Sequence, residues 1–150
     1  MKNILLMMLL QMLSQGIYGQ HLFEKKYNGC DTKKFSLESD SAIAKVSDNE
    51  IRKVIVSSVN PKSINKIYGD LLLQVLVSED GSSCLLSLEN RTNVKTKRLN
   101  LKEAIDHQLK WGSIDKKVAA IIAVKFGNQR IDIKRLGLNG ISGIQEIKHD

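Results

Sequence analysis

The polar residues that could carry out catalysis are few, and they form no familiar catalytic motif. The 150 residues contain no phosphate-binding glycine loop, no HExxH and no GxSxG. Ser82 and Ser83 flank a turn with no histidine placed to activate them, and His107 stands without partners at metal-ligand spacing. The sequence therefore favours a non-catalytic protein with no metal and no cofactor. A hydrolase whose carboxylates meet from distant positions remains an alternative.

The strongest charge signal is the segment RTNVKTKR, residues 91–98, which has four cations and no acid: Arg91, Lys95, Lys97 and Arg98. The whole chain carries a formal charge of +7, which suggests an anionic partner. Charge runs most often face solvent, so a solvated loop is the simplest interpretation. The alternative is that this basic loop contacts lipid phosphates or an acidic protein partner.

The first 19 residues have the pattern of a signal peptide. Lys2 precedes a ten-residue apolar run, Ile4 to Leu13, and small or polar residues lead to a cleavage point before Gln20. The run is too short to span a bilayer, although an uncleaved anchor is an alternative. We therefore expect a periplasmic or secreted protein with no transmembrane span after cleavage and no nucleic-acid partner.

Cys30 and Cys84 are the only cysteines. In an oxidising compartment they could form one disulfide. Alternatively, Cys84 shares a strand face with Leu86 and Leu88 and is simply a small core residue. Their spacing predicts neither a zinc site nor a redox CxxC pair.

The readable elements begin after an irregular lead-in at residues 20–46. Ser47 and Glu50 form a capping box, and the helix that follows should end near Val59 because Pro61 comes next. Leu71 to Ser78 alternates as a strand and reaches a hairpin turn of the primed type at DG, residues 80–81. A return strand follows, and then a second capped helix starts at Asn100, with Glu103 completing its capping box, and ends at Trp111.

The last clear strand has five apolar residues on one face: Val118, Ala120, Ile122, Val124 and Phe126. Arg130 to Lys134 suggests a short further strand. Residues 137–150, with glycines and scattered charges, are predicted to be a loose tail. The folded domain should span residues 47–136.

This order of elements resembles the C-terminal domain of TonB, the periplasmic energy transducer of Gram-negative bacteria. The resemblance covers about 80 of the 150 residues, from Ser47 to Phe126. It is carried by the run LQVLVSEDG and by the following positions: Pro61, Gly69, Gly81, Ala104, Trp111 and Phe126.

The resemblance implies an α+β fold, a small antiparallel sheet of three to four strands with two helices packed on one face. It also implies recognition of an outer-membrane receptor or another envelope protein by strand addition along the edge Val118 to Phe126. This chain has a cleavable-looking leader and lacks the long proline-rich linker of the transducers, so we expect a stand-alone exported form. Family members also tend to carry proline two residues after the aromatic that ends the second helix, where this chain has Trp111-Gly112-Ser113. A strand at Arg130 to Lys134 would cover that edge. The alternative function is a secreted inhibitor or immunity-type protein that uses the basic loop.

Overall fold

The computed structural model describes residues 21–148, so the predicted signal peptide lies outside the described residues. These residues form an α+β fold with two α-helices, α1 (Asp48–Ser58) and α2 (Leu101–Gln108). The strands are β1 (Lys25–Lys26), β2 (Ser36–Leu37), β3 (Gly69–Val77), β4 (Ser83–Thr92), β5 (Val118–Gly127), β6 (Arg130–Asn139) and β7 (Gly143–Glu146). Short 3-10 helices occupy Ile64–Lys66 and Thr96–Arg98.

All seven strands belong to one sheet, whose main path runs β1-β4-β3-β5-β6-β7 with antiparallel neighbours. β2 lies off this path and pairs in parallel with the first two residues of β5. The prediction of three to four strands was too low, because short strands from both ends of the described chain extend the sheet. No helix in residues 21–148 is long and apolar enough to cross a membrane.

The two helices begin in different ways. At α1 the predicted capping box is present: Ser47 Oγ accepts from the Glu50 amide at 3.2 Å, and Glu50 Oε2 accepts from the Ser47 amide at 3.3 Å. At α2 the predicted cap is wrong, because Asn100 has a left-handed backbone (φ 45°) and its side chain makes no capping hydrogen bond. Packing of the buried stripe Leu101, Ala104 and Ile105 must therefore hold α2.

The main core lies between the helices and one face of the sheet, which we call the helix face. The apolar stripes of both helices meet alternate residues of β3 and β5 in a single buried cluster. On β4 the alternation shifts, because a bulge opposite Gln74 and Val75 leaves Leu86 out of the register. Leu88 therefore enters the main core while Leu86 packs on the opposite, outer face, so the predicted shared face of Cys84, Leu86 and Leu88 is wrong for Leu88.

The β3–β4 turn has the positive φ expected at Gly81 but not the primed geometry that was predicted there. In the β3–β4 turn only Gly81 has positive φ (78°), and the Gly81 amide donates to the Ser78 carbonyl at 2.9 Å. This is the longer loop with a bulge rather than the predicted primed turn. The primed geometry occurs between β5 and β6, where Asn128 and Gln129 have φ of 49° and 59°.

Both ends of the described chain contribute short strands to the sheet. Phe23 is buried, and Cys30 forms a disulfide with Cys84 of β4. The prediction of a loose tail is wrong for residues 137–148: β6 continues to Asn139, β7 pairs with it, and Ile147 is buried. Backbone pairing of β7 with β6 and the buried side chain of Ile147 hold this segment, whereas Ile141 and Ile144 remain exposed.

Candidate functional site

The strand predicted as the binding edge lies inside the sheet. β5 pairs with β3 along Val118–Phe126, and its other side pairs with β2 and then with β6. The five predicted edge residues, Val118, Ala120, Ile122, Val124 and Phe126, are all buried in the main core. The prediction of a free edge at β5 is therefore wrong. The further strand expected at Arg130 to Lys134 is present and covers it.

A free edge lies one strand further out, along the first half of β6. Over Arg130–Arg135 no strand of the described chain pairs with β6 on the side away from β5. The Ile131 carbonyl accepts from Arg52 Nε of α1 at 3.1 Å, and the Arg135 carbonyl accepts from the Ile147 amide at 3.0 Å. The backbone N–H and C=O groups of the odd-numbered residues of β6 therefore point away from β5. Ile133 lies between these two contacts, and its N–H and C=O groups are available to an added strand.

The local sequence explains how this edge is held. The primed turn at Asn128 and Gln129 folds β6 back along β5 in direct register, from Gly127 opposite Arg130 onward. Arg52 is oriented by Asn49, whose Oδ1 accepts from the guanidinium at 2.6 Å. Helix α1 therefore runs beside the edge and contacts it without closing it.

Two grooves flank this edge, one on each side of the sheet. The helix-side groove, of about 680 Å³, lies between α1, the 3-10 helix Ile64–Lys66 and the β5–β6 turn. The sheet-side groove, of about 600 Å³, lies along the outer face and reaches Asp48 and Arg52 of α1 around the edge. Residues that line the first include Val56, Lys66, Tyr68, Arg130 and Ile131, and residues that line the second include Asp70, Leu72, Lys125, Lys134 and Glu146.

The sheet-side groove is electrically balanced by a ladder of alternating charges. At one level across four strands, Arg91 lies opposite Asp70, Asp70 opposite Lys125, and Lys125 opposite Asp132. Lys134 also pairs with Glu146 of β7 at 2.6 Å. Opposite charges at facing positions each stabilise a sheet by about 0.2–1 kcal/mol, so this face has little net charge to offer a ligand.

The helix-side groove is different, because cations exceed acids there. Arg52, Lys66 and Arg130 line it with one carboxylate, Asp132, which contacts Arg130 at 3.4 Å. Lys66 makes no ion pair within the described chain. A ligand side chain entering from this side therefore meets a positive surface.

The four residues of the predicted basic loop are exposed, but they do not share one environment. Arg91 belongs to β4 and pairs with Glu89 at 2.6 Å. The other three, Lys95, Lys97 and Arg98, lie before or within the second 3-10 helix, and in residues 21–148 no carboxylate pairs with them.

Asn93 joins this loop to the segment that precedes β3. Its side-chain oxygen accepts from the Tyr68 amide at 3.0 Å, and its side-chain nitrogen donates to the Lys66 carbonyl at 2.9 Å. The loop and the 3-10 helix Ile64–Lys66 are thus joined, and we define the basic surface by Lys66, Lys95, Lys97 and Arg98. Sequence reasoning found the loop but missed its contact with Lys66, since the two segments are distant along the chain.

A buried ion pair holds β6 at Arg135, where the unpaired part of its outer edge ends. Arg135 and Glu38 of the lead-in are fully buried and in contact with each other. Glu38 Oε1 also accepts from the Ile43 and Ala44 amides, both at 2.8 Å. The Arg135 guanidinium stacks 4.8 Å from the Trp111 ring centre and donates to the Ala44 carbonyl at 3.0 Å. No pattern in the sequence singled out this pair.

A second charged cluster surrounds the disulfide. Lys102 Nζ lies 3.3 Å from Cys84 Sγ and forms an ion pair with Asp106, one helical turn away. Asp106 Oδ1 accepts from the Leu85 amide at 2.7 Å, so this carboxylate holds β4 beside its bulge.

Two exposed carboxyls have shifted acidities. Lys117 donates to Asp31 Oδ2 at 2.7 Å, and this hydrogen bond lowers the pKa of Asp31. The Ser82 hydroxyl and amide likewise lower the pKa of Asp80. Both pairs tie down loops and lie apart from the β6 edge. Among the described residues, no group of three or more His, Cys, Asp or Glu could hold a metal ion.

Comparison of the chain with protein-family models, with curated proteins and with solved structures finds no match. The geometry of the β6 edge and its two grooves is therefore the basis for a functional assignment.

Proposed function

We propose that this chain is an exported, non-catalytic binding module that takes up an extended segment of a partner protein by strand addition along the outer edge of β6. The observation that supports this most directly is the outward backbone row at Ile131 and Ile133, which no strand of the described chain covers. Strand addition needs such a row to give affinity through main-chain hydrogen bonds.

The flanking grooves supply the second requirement. Successive side chains of an added strand point to opposite faces of the sheet. At β6 one set would enter the helix-side groove and the other the sheet-side groove, so both sets would contact the protein. Selectivity among segments would come from those contacts.

The Cys30–Cys84 disulfide supports a place outside the cytoplasm, because such bonds persist in oxidising compartments. The predicted leader points the same way, to a periplasmic or secreted protein. The order α1, β3, β4, α2, β5 is the one on which the resemblance to TonB C-terminal domains rests. On that resemblance the partner would be an outer-membrane receptor or another envelope protein, bound one strand further out.

The test removes one outward amide. Ile131→Pro deletes the N–H while the position remains at an edge, where proline is tolerated, and Ile131→Ala is the matched control that trims the side chain but keeps the N–H. The ligand is a synthetic eight-residue peptide of alternating threonine and valine, titrated by calorimetry and by amide NMR shifts. We expect shifts centred on Ile131 and Ile133, and at least tenfold weaker binding to the proline variant only.

Two results would count against strand addition at β6. One is equal binding of the peptide to the parent protein and to the Ile131→Pro variant. The other is a set of amide shifts confined to a different part of the sheet. Circular dichroism and thermal melting of both variants show whether each remains folded, so that a folded proline variant gives the decisive comparison.

A second candidate function is that of a secreted inhibitor or immunity-type protein which binds an acidic partner. It is favoured by the basic surface, where four cations have no paired carboxylate in the described chain and Tyr68 is 65% exposed next to Lys66 and Asn93. Polyglutamate is the test ligand. Substitution of Lys95, Lys97 and Arg98 by glutamine should abolish binding at low salt and leave the peptide binding at β6 unchanged.

A further inference from the structure

We infer that the segment bound at β6 carries acidic side chains at alternate positions, with one large apolar side chain among them, all facing the helix-side groove. This inference rests on the proposed strand addition and names the class of segment that the site selects. It concerns one face of the ligand only.

The charge difference between the two grooves is the first argument. The helix-side groove is lined by three cations and one carboxylate, whereas four cations and four carboxylates line the sheet-side groove, and Arg52 and Asp132 line both. On the sheet side the charges already face one another across neighbouring strands. A ligand carboxylate therefore gains attraction on the helix side, where Lys66 has no ion-pair partner among residues 21–148, and gains little on the other side.

Exposed apolar surface in the same groove is the second argument. Tyr68 is 65% exposed and Val56 is 37% exposed, and both line the helix-side groove next to Ile131. Large exposed apolar side chains grouped beside cations are a frequent feature of protein-binding surfaces. One aromatic or aliphatic ligand residue would cover Tyr68 and Val56 while its acidic neighbours reach Lys66 and Arg130.

The alternation of side chains along a strand predicts how the acidic and apolar residues are spaced in the ligand. Because side chains alternate between faces, the acidic and apolar residues must share one parity in the ligand, at positions i, i+2 and i+4. The residues of the other parity face the balanced charge ladder and should be neutral and polar. A segment with the same composition but with its acids divided between both parities should bind less tightly.

The experiment compares three synthetic eight-residue peptides by calorimetry. The first has glutamates and one phenylalanine at odd positions and threonines at even positions. The second has the same residues with the glutamates divided between odd and even positions, and the third has lysine in place of glutamate in the first pattern. We expect the first to bind tightest, and to lose about fivefold in affinity on Lys66→Glu, as for a weak exposed ion pair that is reversed.

Lys116→Glu is the matched control, since it reverses an exposed cation that, like Lys66, has no ion-pair partner among residues 21–148 and that lines neither groove. It should leave the preference for the first peptide unchanged. Equal affinities of the three peptides, or equal effects of the two reversals, would overturn the acidic rule. If Ile131→Pro still abolishes binding in that case, strand addition stands without the rule. If Ile131→Pro has no effect on any peptide, the proposed function itself fails.

Discussion

Removal of either member of the buried pair Glu38–Arg135 should destabilise the fold, and the two losses should differ. Arg135→Met leaves a buried carboxylate that still accepts from the Ile43 and Ala44 amides. Glu38→Gln leaves a fully buried guanidinium with the Ala44 carbonyl and the Trp111 ring, and its Nε has no hydrogen-bond partner in the described chain. The cation therefore loses more of its compensation than the anion does.

The magnitudes follow from the number of contacts that each charge retains. Breaking a buried pair from one side costs about 3–5 kcal/mol. We assign Arg135→Met about 3 kcal/mol, because two charge-assisted hydrogen bonds to the carboxylate remain, and Glu38→Gln about 5 kcal/mol. The double variant carries no buried charge at this site, so its loss should be no larger than that of Arg135→Met and well below the sum of about 8 kcal/mol.

Urea unfolding followed by Trp111 fluorescence measures the three free energies of unfolding. Since a domain of this size is stabilised by about 5–15 kcal/mol, Glu38→Gln could lie close to complete unfolding. The order of stabilities remains measurable even then, because the double variant should be more stable than Glu38→Gln. Additive losses, or Arg135→Met as the more damaging single change, would show that this account of the pair is wrong.

Three further outcomes are expected. Replacing Cys30 and Cys84 together by serine should lower the free energy of unfolding in urea by about 4 kcal/mol, the chain-entropy value for a sequence separation of 54; a loss below about 1 kcal/mol would contradict it. Gln129→Gly should raise the melting temperature, with a gain of about 1 kcal/mol, because glycine adopts positive φ without steric cost; an unchanged or lower melting temperature would refute this. The hydrogen bond from Lys117 lowers the pKa of Asp31 below 3.8, so this carboxylate stabilises the fold above pH 3.8 and the contribution is lost as the pH falls through its folded pKa. Asp31→Asn should flatten the acid end of the stability–pH curve, measured by urea unfolding from pH 5 to pH 2, and an unaltered curve would exclude this role.

The central elements were predictable because their signals are local. The capping box at Ser47 and the alternation in β3 and β5 need only neighbouring residues to be recognised, and both are present in the structure. The bulge in β4 was not predictable, since it depends on the match between two strands. The predicted cap at Asn100 is wrong because the folded chain gives this residue a left-handed backbone, which differs from the conformation that a capping side chain requires.

The sequence predicted the type of candidate site, a sheet edge, but not the strand that provides it. The alternation at Arg130 to Lys134 indicated a further strand, and that strand moved the free edge from β5 to β6. The pairing of Glu38 with Arg135 had no sequence signal, because the two residues are 97 positions apart. The contact of Asn93 with Lys66 and Tyr68 likewise required the folded chain, so the basic surface was only partly foreseen.

The parallel pairing of β2 with β5 has a consequence for the order of assembly. Ser36 leaves the ribosome 82 residues before Val118, its partner in the sheet (118 − 36). Cys84 also precedes Val118, so in an exported chain it enters the oxidising compartment before β5 does, and the covalent link to Cys30 can close before β5 pairs with β2. The disulfide would then hold the lead-in near its final position before β5 pairs with it. This lowers the loop-closure entropy that the β2–β5 pairing costs.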